Sequence, residues 1–200
     1  PHDIFIRVRL ATSDDVLVLS LGGNDVALKP TTLTIASVFV LTRMPTWLIR
    51  TMGRWTPGFG HLEWLFHDSI QGIIQRIVAG SSPTPPRKVV ACMIYYLDEK
   101  PGGSWADNVL SRLGYDADPS KLQLIIRLLF ERLRERGFDA SNGGATEVAP
   151  FPLFEVLDGK DTQDYVQRVE PSIQGGEKMA SALLDFIFQL RAPELKSETK

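Results

Sequence analysis

The segment Gly22-Gly23-Asn24-Asp25 has the residue types and the setting to do chemistry. It follows Val16-Leu17-Val18-Leu19-Ser20-Leu21, an apolar run ended by glycines that reads as a strand buried on both faces. Open α/β sheets bind ligands beyond the carboxyl ends of their strands, which is where this tetrapeptide falls. Its glycines permit positive φ and close backbone approach. Asn24 can then aim its amide N–H₂ at an oxygen that gains negative charge during a reaction. Gly, Asn and Asp also form ordinary turns, so a strand-ending turn is the alternative reading.

Other reactive side chains are more isolated. His61 and His67 flank Leu62-Glu63-Trp64-Leu65-Phe66, a spacing unlike the i, i+4 pair of a zinc helix. Packing within a helix or lid is their expected role. His2 stands near the start of the sequence, with no partner motif. Cys92 is the single cysteine and lies inside an apolar run, where a thiol acts as a small hydrophobe. With one thiol, neither an internal disulfide nor a cysteine zinc site is expected, and a reducing compartment such as the cytoplasm is weakly favoured. Ser20 falls within its strand and is not read as a nucleophile. No metal or cofactor site is expected.

The elements that must position these residues alternate between strand and helix. Lys88 to Leu97 is a second apolar run, and Thr146 to Leu153 a weaker third because Pro150 and Pro152 oppose central pairing. Ile4 to Leu10 suggests a further strand. Asp68 to Ala79 carries Ile70, Ile73, Ile74 and Ile77 on one helical face. The clearest helix starts at Asp118-Pro119, an acidic cap followed by proline, and stops at Gly137. Between them Leu122, Ile125, Ile126, Leu129, Phe130 and Leu133 repeat at three and four residues. The last helix is expected from about Gly176 to Leu190, with a frayed tail over 192–200. This alternation predicts a mostly parallel, doubly wound sheet.

Length and composition suit one domain over 1–200. Hydrophobic residues make up 44% and charged residues 23%, well away from a disordered chain. A formal net charge of −2 supplies no whole-chain field for nucleic acid. Leu33 to Ile49 is the most apolar stretch, but Thr34, Ser37, Thr42, Arg43 and Pro45 interrupt it, so a buried or lid-like helix is expected and no transmembrane segment. The start, Pro1-His2-Asp3, shows no signal-peptide pattern. Residues 33–67 read as an aromatic helical insert or lid. Within it Trp47, Trp55, Phe59 and Trp64 could cover a substrate or meet a protein partner.

Val16 to Asp25 resembles the third sequence block of the SGNH (GDSL-like) hydrolases, a strand followed by Gly-x-Asn-Asp. Glu170-Pro171-Ser172-Ile173-Gln174-Gly175-Gly176-Glu177-Lys178-Met179-Ala180 resembles the family's last block, an Asp-x-x-His-Pro loop, a glycine and the final helix. Cys92 to Glu99 and Asp164 to Ser172 further look like a protist branch of these proteins. The resemblance implies a three-layer, flavodoxin-like α/β fold with its first strand or strands missing or degenerate. It also implies hydrolysis of small acyl esters by a serine nucleophile, with Asn24 as oxyanion donor in a loop shaped by Gly22, Gly23 and Asp25.

Several family parts are absent from the sequence. Nothing in residues 1–21 matches the Gly-Asp-Ser block, so a nucleophile would lie outside the visible sequence, and the glycine block is missing too. Glu170 stands at the histidine position and Gln167 at the preceding aspartate position. A buried glutamate can serve as a base when burial raises its pKa, though less well than imidazole. Asp164 is a further acidic candidate, and with Asp158 and Asp161 it would compete electrostatically with Glu170. Two functions follow as expectations: an esterase or acyl hydrolase, or a catalytically inactive SGNH-like subunit that binds a ligand or a larger assembly. The second expects the Trp47–Trp64 segment to be buried against another chain.

Overall fold

The structure, a computed structural model, describes residues 14–20, 31–80 and 85–195, with side chains described as far as residue 189. The expected strand at Ile4–Leu10, the tetrapeptide Gly22-Gly23-Asn24-Asp25 and the end of the tail lie outside the described residues. The chain is α/β. Strands β1 (Val16–Ser20), β2 (Lys88–Cys92) and β3 (Glu147–Phe151) form a parallel sheet in that order. The register runs from Val16↔Lys88↔Glu147 to Ser20↔Cys92↔Phe151.

All five residues of β2 are buried, whereas β1 is an edge strand among the described residues and only Leu19 in it is buried. Two-sided burial therefore belongs to β2 rather than to β1. The expected second strand also ends early, at Cys92. Pro150 enters β3 because that strand is the opposite edge. Glu147 N donates to Arg87 O and Phe151 O accepts from Met93 N, so residues 147 and 151 face β2. By alternation Pro150, which has no N–H to give, faces the free side.

Helices cover both faces of the sheet. On one face lie α1 (Thr32–Arg43), α2 (Thr46–Met52), α3 (Phe59–Glu63), α4 (Ser69–Gly80) and α6 (Pro119–Arg136). Ile70, Ile74 and Ile77 of α4 meet Leu19, Val89 and Ala91, while Ile125, Ile126, Leu129 and Leu133 of α6 meet Met93 and Tyr96. Tyr96 stacks on Phe154 with ring centroids 5.2 Å apart, and Phe130 meets Phe154 edge-on at 5.4 Å. The final helix, α7 (Ile173–Leu195), lies on the other face, where Met179, Leu183, Phe186 and Ile187 pack on Val90, Cys92, Phe151 and Leu153. It begins three residues before the expected Gly176. A short helix, α5 (Asp107–Arg112), precedes α6.

The apolar stretch expected as one helix over Leu33–Ile49 is two. Met44-Pro45 breaks it, since the ring at Pro45 disfavours helical backbone in the residue before it. No single described helix is long and apolar enough to cross a membrane, and α1 and the α2 segment are bent by 112°.

Cys92 is buried in β2, and burial pushes its thiol pKa up to about 11. At pH 8 the native thiol should therefore resist a soluble disulfide reagent over the time in which the urea-unfolded chain reacts completely. Equal native and unfolded rates would show that the β2 segment opens readily.

Candidate functional site

Beyond their carboxyl ends, β2 and β3 stay paired through irregular backbone. Tyr96 N donates to Leu157 O, and Glu99 N donates to Gly159 O. A short hairpin joins them, made of β4 (Tyr165–Val166) and β5 (Glu170–Pro171) with Val166 opposite Glu170. Asp98 N donates to Arg168 O, and the Tyr95 hydroxyl donates to Val169 O at 2.9 Å. The hairpin that carries Glu170 is thus held at the carboxyl edge of the sheet, the edge from which β1 runs into residues 21–30.

Glu170 is solvent-exposed, not buried. Burial and the Glu170 charge together push the Tyr95 phenol up to about 12, which keeps it a hydrogen-bond donor at physiological pH. Gln167 points elsewhere. Its side-chain oxygen accepts from Trp105 N and its carbonyl accepts from Ser104 Oγ at 2.6 Å. The structure therefore places Gln167 against the 104–105 loop.

Asp164 is buried and committed to α7. Lys178 Nζ lies 2.7 Å from Asp164 Oδ1, and Gln174 Nε2 donates to the same oxygen at 2.9 Å. Lys178 also reaches Asp161 at 3.3 Å. Hydrogen bonding to Asp164 raises the Lys178 pKa, and this one ammonium is shared by the two carboxylates. The first turn of α7 passes so close that a Cβ on Gly175 would collide with the Asp164 carbonyl oxygen, while one on Gly176 would meet open space. Opposite effects are expected from adjacent glycines. Gly175→Ala should destabilise by about 2 kcal/mol, and Gly176→Ala should stabilise by roughly 0.5–1 kcal/mol. Urea titration of both variants checks the pair, and a neutral or stabilising Gly175→Ala would contradict this packing.

Gln167 and Arg168 hold left-handed backbone, with φ of 52° and 66°. Arg168 fixes that turn from within. Its buried guanidinium donates to Asp107 Oδ1 at 2.8 Å and Asp116 Oδ1 at 2.9 Å, and Nε donates to the Asp98 carbonyl at 3.2 Å. One side chain so ties the loop after β2, α5 and the approach to α6 to the Glu170 hairpin. The sequence reading missed Arg168, whose partners are distant along the chain.

Also missed was a groove of about 470 Å³ on the α6 side of this edge. Tyr96 and Phe154, just past the ends of β2 and β3, line it along with Arg50, Ser120, Arg127 and Lys160. Aromatic residues immediately after strand ends were the available sequence signal. The groove sets apolar ring faces beside charges of both signs, since Glu155 and Asp158 line it too and Lys160 lies 3.6 Å from Asp158.

The remaining candidates have structural roles. His61 Nε2 is 3.0 Å from Thr34 Oγ1, and its ring stacks on Trp64. His67 donates from Nε2 to the Gly137 carbonyl at 2.7 Å and stacks on Phe138. It sits in a π-helical turn, Trp64–Asp68, between α3 and α4, where Asp68 and Glu63 both bind Arg136. No group of three or more His, Cys, Asp or Glu positioned to hold a metal occurs among the described residues. In the Trp47–Trp64 segment the three tryptophans are exposed, Trp47 at 67% and Trp55 at 72%, whereas Phe59 is buried in the core. Compared with protein-family models, curated proteins and solved structures, the chain finds no match.

Proposed function

We propose that this chain is an SGNH-type acyl-ester hydrolase domain whose site lies at the carboxyl edge of the sheet. The observation that carries the reading is the common edge: β1 ends at the carboxyl edge of the sheet, and the Tyr165–Pro171 hairpin that presents Glu170 is held at that same edge. The parallel order β1-β2-β3 is compatible with the second half of a flavodoxin-like sheet, whose further strands would pair with the free edge of β1. In this reading Asn24 stabilises the oxyanion and the groove beside Tyr96 and Phe154 receives the acyl ester. Glu170 stands at the family's histidine position, and the serine nucleophile comes from sequence beyond these residues.

A second reading, a ligand-binding SGNH-like domain without turnover, is favoured by a specific observation. The Gln167 amide is spent on Trp105, and Glu170 is exposed, so neither forms the buried base and orienting partner that a serine needs. Fluorophosphonate labelling of the natural full-length protein separates the two. Covalent labelling at a serine, blocked by a short-chain ester, supports the hydrolase. A folded protein that does not label supports the binding reading.

A further inference from the structure

Helix α1 is apolar on both sides. Val38 and Leu41 are buried with Thr34, Ser37 and Thr42, while Leu33, Ile35, Phe39 and Val40 are exposed. The inward polar face is satisfied: Thr34 Oγ1 meets Thr31 Oγ1 at 2.9 Å and His61, and the Thr42 hydroxyl donates to Phe39 O at 3.1 Å. Small residues are needed there because Gly58 lies against the Ser37 backbone, and any Cβ on it would crowd the Ser37 carbonyl. The inner face is therefore a packed seam of Val38, Leu41 and small polar residues, and Leu33, Ile35, Phe39 and Val40 stay outside it.

Trp47 on α2 and Trp55 in the turn after it are exposed as well. The charge carried by this stretch of sequence itself is one-signed. From Val26 to Leu62 the sequence carries no Asp or Glu, in a chain where 24 of 200 residues are acidic. The exposed charges of the described part are Arg43, Arg50 and Arg54. Arg43 lies over the Phe39 ring and Arg54 over the Trp55 ring, each 4.6 Å from the centroid, so their stems follow the apolar surface and their heads lie at its margin.

We propose that the outer face of α1 and α2 docks on an anionic lipid surface. Exposed aliphatic and tryptophan side chains enter the headgroup–acyl boundary, and the three arginines pair with lipid phosphates and carboxylates. Neither helix is long enough to span alone and the pair is bent by 112°, so the docking proposed is on the bilayer surface. The exposed Leu33, Ile35 and Val40 distinguish this partner from nucleic acid, against whose phosphates aliphatic groups gain nothing. Because Arg50 also lines the groove beside Tyr96, docking would turn that groove toward the membrane. The docking itself does not depend on whether the edge is catalytic.

The test is flotation of the full chain with phosphatidylcholine vesicles, with and without phosphatidylserine. Binding should be at least tenfold tighter with phosphatidylserine and weaken as salt rises. An Arg43→Glu/Arg50→Glu/Arg54→Glu variant should lose about a hundredfold or more, from roughly fivefold per arginine. A Trp47→Ser/Trp55→Ser variant should bind both vesicle types more weakly. All five side chains are exposed, and unchanged circular dichroism and melting confirm that the variants fold. No flotation of the wild-type chain, or equal flotation of the arginine variant, overturns the proposal. Wild-type self-association that the tryptophan variant abolishes, without flotation, assigns the surface to a second copy instead.

Discussion

Arg168→Ala should destabilise the chain by about 3–5 kcal/mol, the expected cost of removing one partner from a buried ionic cluster. Two carboxylates and the Asp98 carbonyl lose their donor together, and the left-handed turn at 167–168 loses the group that holds it. Arg168→Lys should recover less than half of the loss, because one ammonium cannot span Asp107, Asp116 and a backbone carbonyl at once. Urea denaturation measures both variants, and a loss under about 1 kcal/mol in Arg168→Ala would show that solvent replaces the guanidinium.

The same cluster predicts a pH signature. The Arg168 hydrogen bond, with Gly103 N and Ser104 N, holds Asp107 below the usual carboxylate range. A depressed folded-state pKa contributes stability that is fully present above the unfolded value, near pH 3.9, and is lost as pH falls through the folded one. The wild-type chain should therefore lose stability on acidification below about pH 4, and the Arg168→Ala curve should be flatter in that window.

Asn24→Ala carries the largest expected effect on activity. If Asn24 donates to the oxyanion, kcat for acyl-ester hydrolysis should fall by about 100- to 1000-fold, because the interaction forms only as charge develops. Stability should change only modestly, by less than about 1 kcal/mol, if Asn24 merely closes a turn. A variant that keeps wild-type turnover would remove the oxyanion role and leave the tetrapeptide as a turn.

What could be read from the sequence follows from where the decisive interactions lie. Helix α6 was legible because Asp118-Pro119, Gly137 and the apolar stripe between them are all local. The fate of Pro150 was not, since a proline in a strand depends on which side meets a neighbour. α1 was misleading for a related reason. Thr34 and Ser37 look like interruptions of an apolar helix, yet the close approach of Gly58 makes small polar residues the ones that fit inside. The tetrapeptide after β1 stood out by residue type and setting, and Glu170 only through the family resemblance. Asp164 stood out equally by type, but its pairing with Lys178 becomes visible only once α7 is docked. Arg168 could not be found at all, because Asp98, Asp107 and Asp116 converge on it through two loops and the start of a helix.

The most direct test of the central claim is fluorophosphonate labelling of the natural full-length protein, with the labelled residue located by peptide mass spectrometry. The account predicts one labelled serine upstream of Gly22, with labelling slowed in the Asn24→Ala variant. A folded, unlabelled protein that still binds a short-chain ester at the groove beside Tyr96 and Phe154 would contradict hydrolysis and leave a fold used for binding.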